Sequence, residues 1–386
     1  MAKRLLTLLL FSAAARLLPA QLPFYPGDSL TISLLTCAPG DMLYSKFGHS
    51  AIRVYAPLSG TDLVFNYGLF DFRTPNFYGK FIRGKLPYQL GVQRFDRFVQ
   101  EYQYDGRKVV ETPLALDAAS RARVLGFLED NYRPENREYL YDFFYDNCAS
   151  RIRDVLEKAA GMDYRPAQRE GRKKTYRQLL HTYLQDSPWI KFGIDLILGM
   201  PTDQQADFRA EMFLPDYLLE NLRAGQVGAQ RITGPEVVLV PARPQQGASF
   251  GFLTPTACAL LLLFLSMFVT LRGTRRVKAV LDTVLFSAAG LAGALFVFMW
   301  AGTDHEATHR NLNLLWANPL ALAAPFLLEK PARKPWFALL LFGALAALLA
   351  FLGVLPQTIP FEVLPIALAL AVRYANRMGY RFKKIL

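Results

Sequence analysis

The segment FGFLTPTACALLLLFLSMFVTL, residues 250–271, carries no charged side chain and is long enough to cross a lipid bilayer as one helix. Four more apolar segments follow it. The second and fourth also reach the roughly 20 residues that a membrane-spanning helix needs, whereas the third and fifth are shorter. We therefore predict an all-α membrane domain over residues 250–386 with about five transmembrane helices, formed by residues 250–271, 280–301, 312–328, 336–355 and 359–374.

Basic residues are distributed unevenly between the connections of these segments. Twelve Lys or Arg side chains follow the first, third and fifth segments, and only Arg310 follows the second or fourth. Cytoplasmic loops of membrane proteins carry the excess of Lys and Arg. We expect the C-terminus in the cytoplasm and residues 21–249 on the outer side of the membrane.

The net charge of +12 belongs to the two ends of the chain, because residues 21–249 carry only +1. A nucleic-acid-binding domain concentrates basic charge on its folded surface, so we exclude that class of partner. The hydrophobic content of 52% excludes a disordered chain. Three cysteines in 386 residues are too few for a disulfide framework.

The N-terminus has the pattern of a secretory signal peptide. Lys3 and Arg4 precede an apolar run over residues 5–15, and Leu18-Pro19-Ala20 precedes Gln21. Because Leu18 is large for the position three residues before the cut, an uncleaved anchor stays open. We assign residues 1–20 to the signal peptide.

Residues 21–165 alternate strand-like and helix-like patterns and are predicted to form the exported catalytic domain. Strands are expected at residues 29–35, 50–55, 63–70 and 108–116. Helices are expected from Asp117 to about Asn131 and from Asn147-Cys148 to Lys158. Residues 166–249 are interpreted as a helical extension and a linker.

A cysteine and a histidine of this domain form the first candidate site. Cys148 is predicted in the first turn of a helix, where free N–H groups and the helix dipole favour a thiolate. His49 opens a strand, and Asn66 on the next strand could orient its ring. A Cys–His pair performs acyl transfer through a thioester. The alternatives are a buried structural cysteine with an unrelated histidine, or a Cys37–Cys148 disulfide.

A second candidate is the string His305-Glu306-Ala307-Thr308-His309, which matches the zinc-protease pattern. Two histidines four apart on a helix can bind zinc, with the glutamate as general base. The string falls in a short loop on the outer side and has no evident third ligand. The alternative is a polar loop at the membrane surface, and we assign neither a metal nor another cofactor to the chain.

The exported domain is rich in aromatic residues. Core packing is the default explanation, and an apolar lipid-binding groove is the functional one. The residues concerned are Phe70, Phe72, Phe77, Tyr78, Phe81, Tyr141, Phe143, Phe144 and Tyr145.

Four strings resemble a known family: LTCAPG at 35–40, FGHSAIRV at 47–54, FNYGLFDF at 65–72 and YDFFYDNC at 141–148. In their order along the chain they are similar to the Lnb lipoprotein N-acyltransferases, which carry a periplasmic domain followed by a multi-span domain. The resemblance covers nearly the whole mature chain and includes the polar loop around His305. Glu306 and His309 depart from the family pattern, which makes the zinc-like string incidental.

The resemblance implies an α+β, circularly permuted papain-like (NlpC-like) exported domain, in which the histidine precedes the cysteine. Cys148 would be the nucleophile, His49 the base and Asn66 the third member. The implied enzyme lies in the inner membrane with its catalytic domain in the periplasm. It moves an acyl chain from a membrane phospholipid, through a Cys148 thioester, to the N-terminal cysteine amine of diacylated lipoproteins.

Three other functions stay open from the sequence. A membrane-anchored NlpC-like cell-wall peptidase or amidase would use the same pair. A membrane zinc protease would use His305, Glu306 and His309. A non-catalytic envelope scaffold would need none of these residues.

Overall fold

The computed structural model describes residues 22–24, 27, 29–167, 173–243, 251, 253–330 and 333–380. The predicted signal peptide, residues 1–20, lies outside the described residues. The described chain forms two compact units. The first contains the chain up to Lys174 and again from Ala206 to the linker, and the second contains Thr175–Gln205 and the C-terminal part. Residues 166–249 thus contribute to both units.

The strands are β1 (Thr31–Cys37), β2 (His49–Ala56), β3 (Thr61–Leu69), β4 (Pro87–Arg94), β5 (Val109–Pro113), β6 (Glu138–Leu140), β7 (Gln226–Val227), β8 (Gln230–Arg231) and β9 (Val237–Val240). The α-helices are α1 (Phe77–Ile82), α2 (Phe95–Asp105), α3 (Ala118–Tyr132), α4 (Cys148–Ala160), α5 (Tyr176–His181), α6 (Pro188–Ile197), α7 (Pro215–Ala224), α8 (Pro255–Arg272), α9 (Arg275–Ala301), α10 (Ala324–Leu327), α11 (Arg333–Leu348) and α12 (Val363–Met378).

The first unit is built on a seven-stranded antiparallel sheet in the order β6-β4-β3-β2-β1-β5-β9. Both faces of its central strands are covered. Leu34 and Ile52 pack on one face with apolar side chains of α3 and α4. On the other face, Leu35 and Ala51 pack with Phe98 of α2. Because both faces are covered, every residue of β1 from Ile32 to Cys37 is buried.

The strands and helices expected between residues 29 and 158 are present, with ends shifted by a few residues. Helix α3 begins after Asp117, whose side chain accepts a hydrogen bond from the Ser120 N–H at 2.6 Å. Besides β7 and β8, which pair with each other outside this sheet, three of its strands were not predicted: β4, β6 and β9. They lie at or near the sheet edges, where half-exposed residues give a weak apolar pattern.

The second unit contains three helices that are long and apolar enough to cross a membrane: Pro255–Arg272, Arg275–Ala301 and Arg333–Leu352, the last including a terminal 3₁₀ turn. They correspond to the first, second and fourth predicted segments. The fifth segment forms α12, which is a 16-residue helix. The described residues therefore provide three candidate spans by length and composition.

The third predicted segment, residues 312–328, does not form one helix. It folds as 3₁₀ turns at Leu312–Leu315 and Pro319–Ala323 and then as the short helix α10. The prediction of a regular helix there was wrong, because Pro319 and Pro325 interrupt the backbone pattern of a continuous helix.

Glycines on neighbouring helices allow this irregular segment to pack closely. A Cβ atom at Gly293 of α9 would collide with the Ala317 carbonyl oxygen and lie 2.7 Å from the Pro319 nitrogen. Gly343 of α11 approaches the Leu315 carbonyl oxygen in the same way. The backbone of the segment therefore lies directly against two helices, where a side chain would have no room.

We expect Gly293→Ala to destabilise the second unit by about 1–3 kcal/mol, because the added methyl group meets backbone atoms that cannot rotate away. Thermal unfolding of the detergent-solubilised chain measures the effect. The matched control is Gly193→Ala on α6, where a Cβ meets nothing within 4 Å and helix propensity favours alanine. Equal stability of the two variants would contradict the packing described.

Buried polar groups hold the segment Thr175–Gln205 of the second unit. Arg177 contacts the carboxylates of Asp195 and Asp203, and the His181 Nε2–H donates to Asp195 at 2.8 Å. The Asn311 side-chain amide donates to the Leu196 carbonyl oxygen at 2.7 Å. These contacts give His181 a structural role.

Candidate active site

His49 is the first residue of β2 and lies opposite Cys37, the last residue of β1. Gly48 precedes it with a φ of 79°. A Cβ atom at Gly48 would lie 2.7 Å from the Cys37 carbonyl oxygen, so only glycine permits this entry into the strand. The loop over residues 38–48 therefore delivers His49 to one end of the sheet in a defined orientation.

Asn66 of β3 holds the His49 ring. The His49 Nε2 lies 3.1 Å from the Asn66 Oδ1, and this oxygen can only accept a hydrogen bond. The ring proton is therefore on Nε2, which leaves Nδ1 unprotonated and able to accept a proton. The sheet register is irregular between Asn66 and Leu69, which ends the regular pairing of β3 beside the site.

Cys148 is the first residue of α4, and reciprocal hydrogen bonds between Asn147 and Ser150 cap this end of the helix. The Asn147 Oδ1 accepts hydrogen bonds from the backbone N–H groups of Ala149 and Ser150, both at 2.9 Å. The Ser150 hydroxyl accepts from the Asn147 N–H at 2.8 Å. The Asn147 amide also donates to the Phe213 carbonyl oxygen at 2.8 Å. This capping box fixes the position of the cysteine.

Backbone N–H groups near the Cys148 sulfur lower the pKa of its thiol, and among them is that of Ser50, the neighbour of His49 in β2. The structure thus brings Cys148 to the strand end that carries His49. In the part of the chain that the structure describes, no hydrogen bond joins the His49 ring to the sulfur. His49 and Asn66 are in direct contact, and Cys148 contacts the residue beside them.

Both candidate groups are neutral at neutral pH. Burial lowers the pKa of His49 to about 4, although the hydrogen bond that its Nε2–H donates to Asn66 raises it, and the nearby Arg107 lowers it further. Burial raises the pKa of the Cys148 thiol, against the lowering effect of the backbone N–H groups. The helix start therefore does not produce the thiolate expected from the sequence, because desolvation outweighs it.

Cys37 is a free and fully buried thiol, and Cys148 is a free thiol that is buried with 8% exposure. The disulfide that the sequence left open is not present between them. Burial raises the pKa of Cys37 to about 12, while a hydrogen bond with Tyr102 and the charge of Arg107 lower it. Cys37 is a core residue beside His49.

The zinc-like string does not have the geometry that the zinc alternative requires. Glu306–Thr308 forms a single 3₁₀ turn, with His305 before it and His309 in extended conformation after it. The two histidines are therefore not one turn apart on an α-helical face. Within the described ranges no group of three His, Cys, Asp or Glu side chains could hold a metal ion.

The aromatic residues divide into two groups. Phe143 and Phe144 pack on Phe213 near the capped end of α4. The second group forms what we call the aromatic surface, a network of rings that is largely exposed at Phe72, Tyr78 and Phe81 and consists of Phe70, Phe72, Phe77, Tyr78, Phe81, Tyr88 and Tyr141.

The aromatic surface reaches the candidate cysteine. Tyr141 stacks on Tyr88 with ring centroids 4.5 Å apart. A Cβ atom at Gly68 would lie 3.6 Å from the Tyr141 ring and 3.9 Å from the Cys148 Cβ. Core packing therefore does not explain the exposed members, and they form an apolar surface continuous with the site.

Sequence reasoning missed Arg107, which follows α2 and precedes β5. Its guanidinium is buried beside the site and influences the pKa values of both His49 and Cys37. The only available signal was a basic residue directly before a predicted strand, which is usually a solvated side chain.

The fold and this site define a membrane protein with a sheet-rich extramembrane domain and a helical membrane domain. Comparison with family models matches residues 19–182 to the Lnb N-terminal periplasmic domain and residues 246–385 to the Lnb transmembrane domain. The chain belongs to the Lnb family and is a multi-pass membrane protein with a periplasmic domain, which confirms the resemblance noted in the sequence. Searches of curated proteins and of solved structures gave no match.

Proposed function

We propose that this protein is an apolipoprotein N-acyltransferase of the inner membrane. It transfers an acyl chain from a phospholipid to the N-terminal cysteine amine of a diacylated lipoprotein, with Cys148 as nucleophile. The observation that carries the proposal is the His49–Asn66 hydrogen bond, which leaves the His49 Nδ1 unprotonated at the sheet end where the Cys148 sulfur is held. A neutral imidazole beside a neutral thiol is the arrangement of a general base and its nucleophile.

In the first half-reaction, the His49 Nδ1 takes the Cys148 proton as the sulfur attacks the ester carbonyl carbon of the phospholipid. The carbon–oxygen ester bond breaks, and His49 returns the proton to the leaving glycerol oxygen. The products are a Cys148 thioester and a lysophospholipid. Proton removal during the attack suits a thiol whose pKa is raised by burial, because no stable thiolate is needed.

In the second half-reaction, the α-amine of the lipoprotein attacks the thioester carbonyl carbon. The carbon–sulfur bond breaks, the amine loses a proton to His49, and the sulfur regains it as the thiol. The product is an amide, which is more stable than the thioester. Both half-reactions use one nucleophile, so we expect ping-pong kinetics.

The aromatic surface supports a lipid substrate over a cell-wall peptide. Phe72, Tyr78 and Phe81 are each 46% to 74% exposed and form an apolar surface that runs toward Cys148. Acyl chains bind such surfaces through the hydrophobic effect, and exclusion of water there limits hydrolysis of the thioester. A peptidase or amidase that shares the Cys–His pair has no comparable need for this surface.

The proposed fold is the circularly permuted papain-like arrangement with His49 and Asn66 on adjacent strands before the Cys148 helix. The proposed membrane topology has five crossings, with residues 312–328 as an irregular third crossing and α12 as the fifth. Irregular backbone is tolerated at membrane depth where protein covers it, and Ala317, Ala321 and Ala324 are fully buried. A crossing here also puts Arg310 and the basic residues after 329 on opposite sides of the membrane, which agrees with the excess of Lys and Arg in cytoplasmic loops.

The function is tested with a reporter lipoprotein from cells in which this protein is the only candidate N-acyltransferase. Mass spectrometry of its N-terminal peptide should show a third acyl chain with the wild-type protein and none without it. Absence of the third chain with a well-expressed wild-type protein would refute the acyltransferase proposal. An assay for peptidase and amidase activity on cell-wall peptides would then test the alternative function that uses the same Cys–His pair.

The protonation state of His49 predicts an unusual pH dependence. A protonated imidazole cannot accept the thiol proton, so activity falls as the pH falls through the pKa of His49 in the folded protein. Because that pKa is lowered to about 4, the acid limb of Cys148 acylation should lie near pH 4 instead of near the ordinary value of 6.5. Asn66→Asp places a carboxylate on Nε2 and favours the imidazolium.

We therefore expect the acid limb of Asn66→Asp to move to higher pH than that of the wild type. Rapid-quench measurement of acyl-enzyme formation over a pH series checks this. His49→Ala is the control and should show a slow rate with no acid limb in this range. A wild-type limb near pH 6.5 would contradict the burial of His49, and a limb unchanged by Asn66→Asp would contradict the assigned hydrogen bond.

A further inference from the structure

Arg107 is a buried cation that lacks a carboxylate partner among the described residues. The residue is 8% exposed, and its Nη2 atom is buried without a hydrogen-bond partner in the described structure. The Nε–H donates to the Ala38 carbonyl oxygen at 3.0 Å. By contrast, the partly buried Arg53 is paired with both Asp62 and Glu111. A desolvated charge without a counter-ion is costly, so its retention calls for a bound anion.

The position of Arg107 is set by the sheet end that carries the candidate site. The Ala38 N–H donates to the Lys108 carbonyl oxygen at 2.8 Å, and Val109 of β5 pairs with Cys37. Cys37 pairs in turn with His49. Val109, Cys37 and His49 thus lie side by side on three adjacent strands, and Arg107 is two residues before Val109. The charge of Arg107 lowers the pKa of His49.

Neighbouring groups hold the guanidinium in place without neutralising it. Its Cζ lies 4.7 Å from the centroid of the Tyr102 ring, a cation–π contact. A Cβ atom at Gly40 would lie 3.1 Å from the Arg107 Cδ and Nε, so a residue without a side chain makes room for the arginine. The result is an oriented guanidinium with an unused N–H donor beside the candidate base.

We propose that Arg107 binds the phosphate of the phospholipid acyl donor, which places the ester of the lipid at Cys148. The planar guanidinium matches a phosphodiester through paired, charge-assisted hydrogen bonds. An anionic phosphate supplies the counter-charge that the described protein does not. The inference rests on the proposed phospholipid donor and assigns a specificity-determining residue for it.

Binding is measured with the full-length Cys148→Ala protein in detergent, so that no turnover occurs. The probes are dihexanoyl phosphatidylcholine and dihexanoylglycerol, which share acyl chains but differ in the phosphodiester group. We expect Arg107→Gln to weaken binding of the phospholipid by about tenfold or more and to leave binding of the diacylglycerol unchanged. Arg107→Lys keeps the charge but loses the paired N–H donors of the guanidinium. Its affinity for the phospholipid should lie between those of the parent protein and Arg107→Gln.

The matched control is Arg97→Gln, which removes a positive charge from an exposed position on α2. It should bind both probes as the parent protein does. A second measurement avoids any risk that Arg107 variants misfold: glycerophosphocholine, which has the phosphodiester but no acyl chains, should compete with the phospholipid in the parent protein.

Equal binding of both probes by the parent protein, no competition by glycerophosphocholine, or an equal loss for both probes in folded Arg107→Gln would each overturn the assignment. This outcome is separable from failure of the acyltransferase proposal. Phosphate-dependent binding that needs Arg107, without any acyl transfer by the wild type, would keep the phosphate site and refute the reaction. Acyl transfer by a wild-type protein that binds the phospholipid and the diacylglycerol equally would keep the reaction and refute the phosphate site.

Discussion

Replacement of Cys148 by serine is expected to abolish formation of the acyl-enzyme and transfer of the third acyl chain, with a loss of about ten-thousand-fold or more. The serine hydroxyl is far less acidic than the thiol, so the neutral His49 cannot activate it comparably. The change is nearly isosteric at a site where Cys148 is 8% exposed, and the cap by Asn147 is untouched. Folding should therefore be preserved.

Intact-protein mass spectrometry after incubation with phospholipid measures the effect directly. The wild type should gain the mass of one acyl chain in a bond that hydroxylamine cleaves, as expected for a thioester. Cys258→Ser is the matched control, because this cysteine lies on α8 in the second unit, and it should behave as wild type. A hydroxylamine-labile acyl group on Cys148→Ser would place the nucleophile elsewhere.

Removal of the Asp282 carboxylate is expected to destabilise the membrane unit by about 3–5 kcal/mol, because it leaves a buried charge without a partner. Asp282 of α9 and Arg373 of α12 are completely buried, and they form two hydrogen bonds of 2.6 and 3.0 Å. The Arg373 guanidinium also donates to the Thr270 hydroxyl of α8 at 2.5 Å. The cluster thus joins three helices of this unit.

Thermal unfolding of Asp282→Ala in detergent checks this expectation. The double variant Asp282→Leu, Arg373→Met should recover much of the stability, since two apolar side chains of similar size replace the two fully buried charges. Arg377, which also contacts Asp282, stays 4.0 Å from the Glu329 carboxylate. Arg275→Ala is the control: it breaks a solvent-exposed ion pair with Glu329 and should leave the unfolding temperature nearly unchanged. If the single and double variants were equally unstable, the loss would come from packing and not from the unpaired charge.

The membrane architecture could be predicted to a large extent from local pattern. Long uncharged segments predict helices because a bilayer leaves no other partner for backbone N–H and C=O groups, and this identified α8, α9 and α11. The same logic fails at residues 312–328, where neighbouring protein covers an irregular backbone. That outcome depends on Gly293 and Gly343, which are distant from the segment in sequence.

The candidate site, too, could be predicted from the sequence only in part. The capping residue Asn147 and the strand that begins at His49 are local signals, and they indicated Cys148 and His49 as residues at element ends. The protonation states were not predictable, because burial reverses the effect of the helix start on the Cys148 pKa. Burial is a property of the packed sheet and helices and not of the residues near Cys148 in sequence.

By itself the sequence determined the order of the parts: a periplasmic strand-rich domain, a helical membrane domain and a Cys–His pair in the family's order, since periodicity, charge and motif are local properties of the chain. Only the tertiary structure decided which groups share an environment. It joined Asn66 to the His49 ring and brought the Ser50 N–H to the Cys148 sulfur. It also buried Arg107 beside them with no counter-ion among the residues that the structure describes, because these contacts arise where strands and helices far apart in sequence pack at one sheet end.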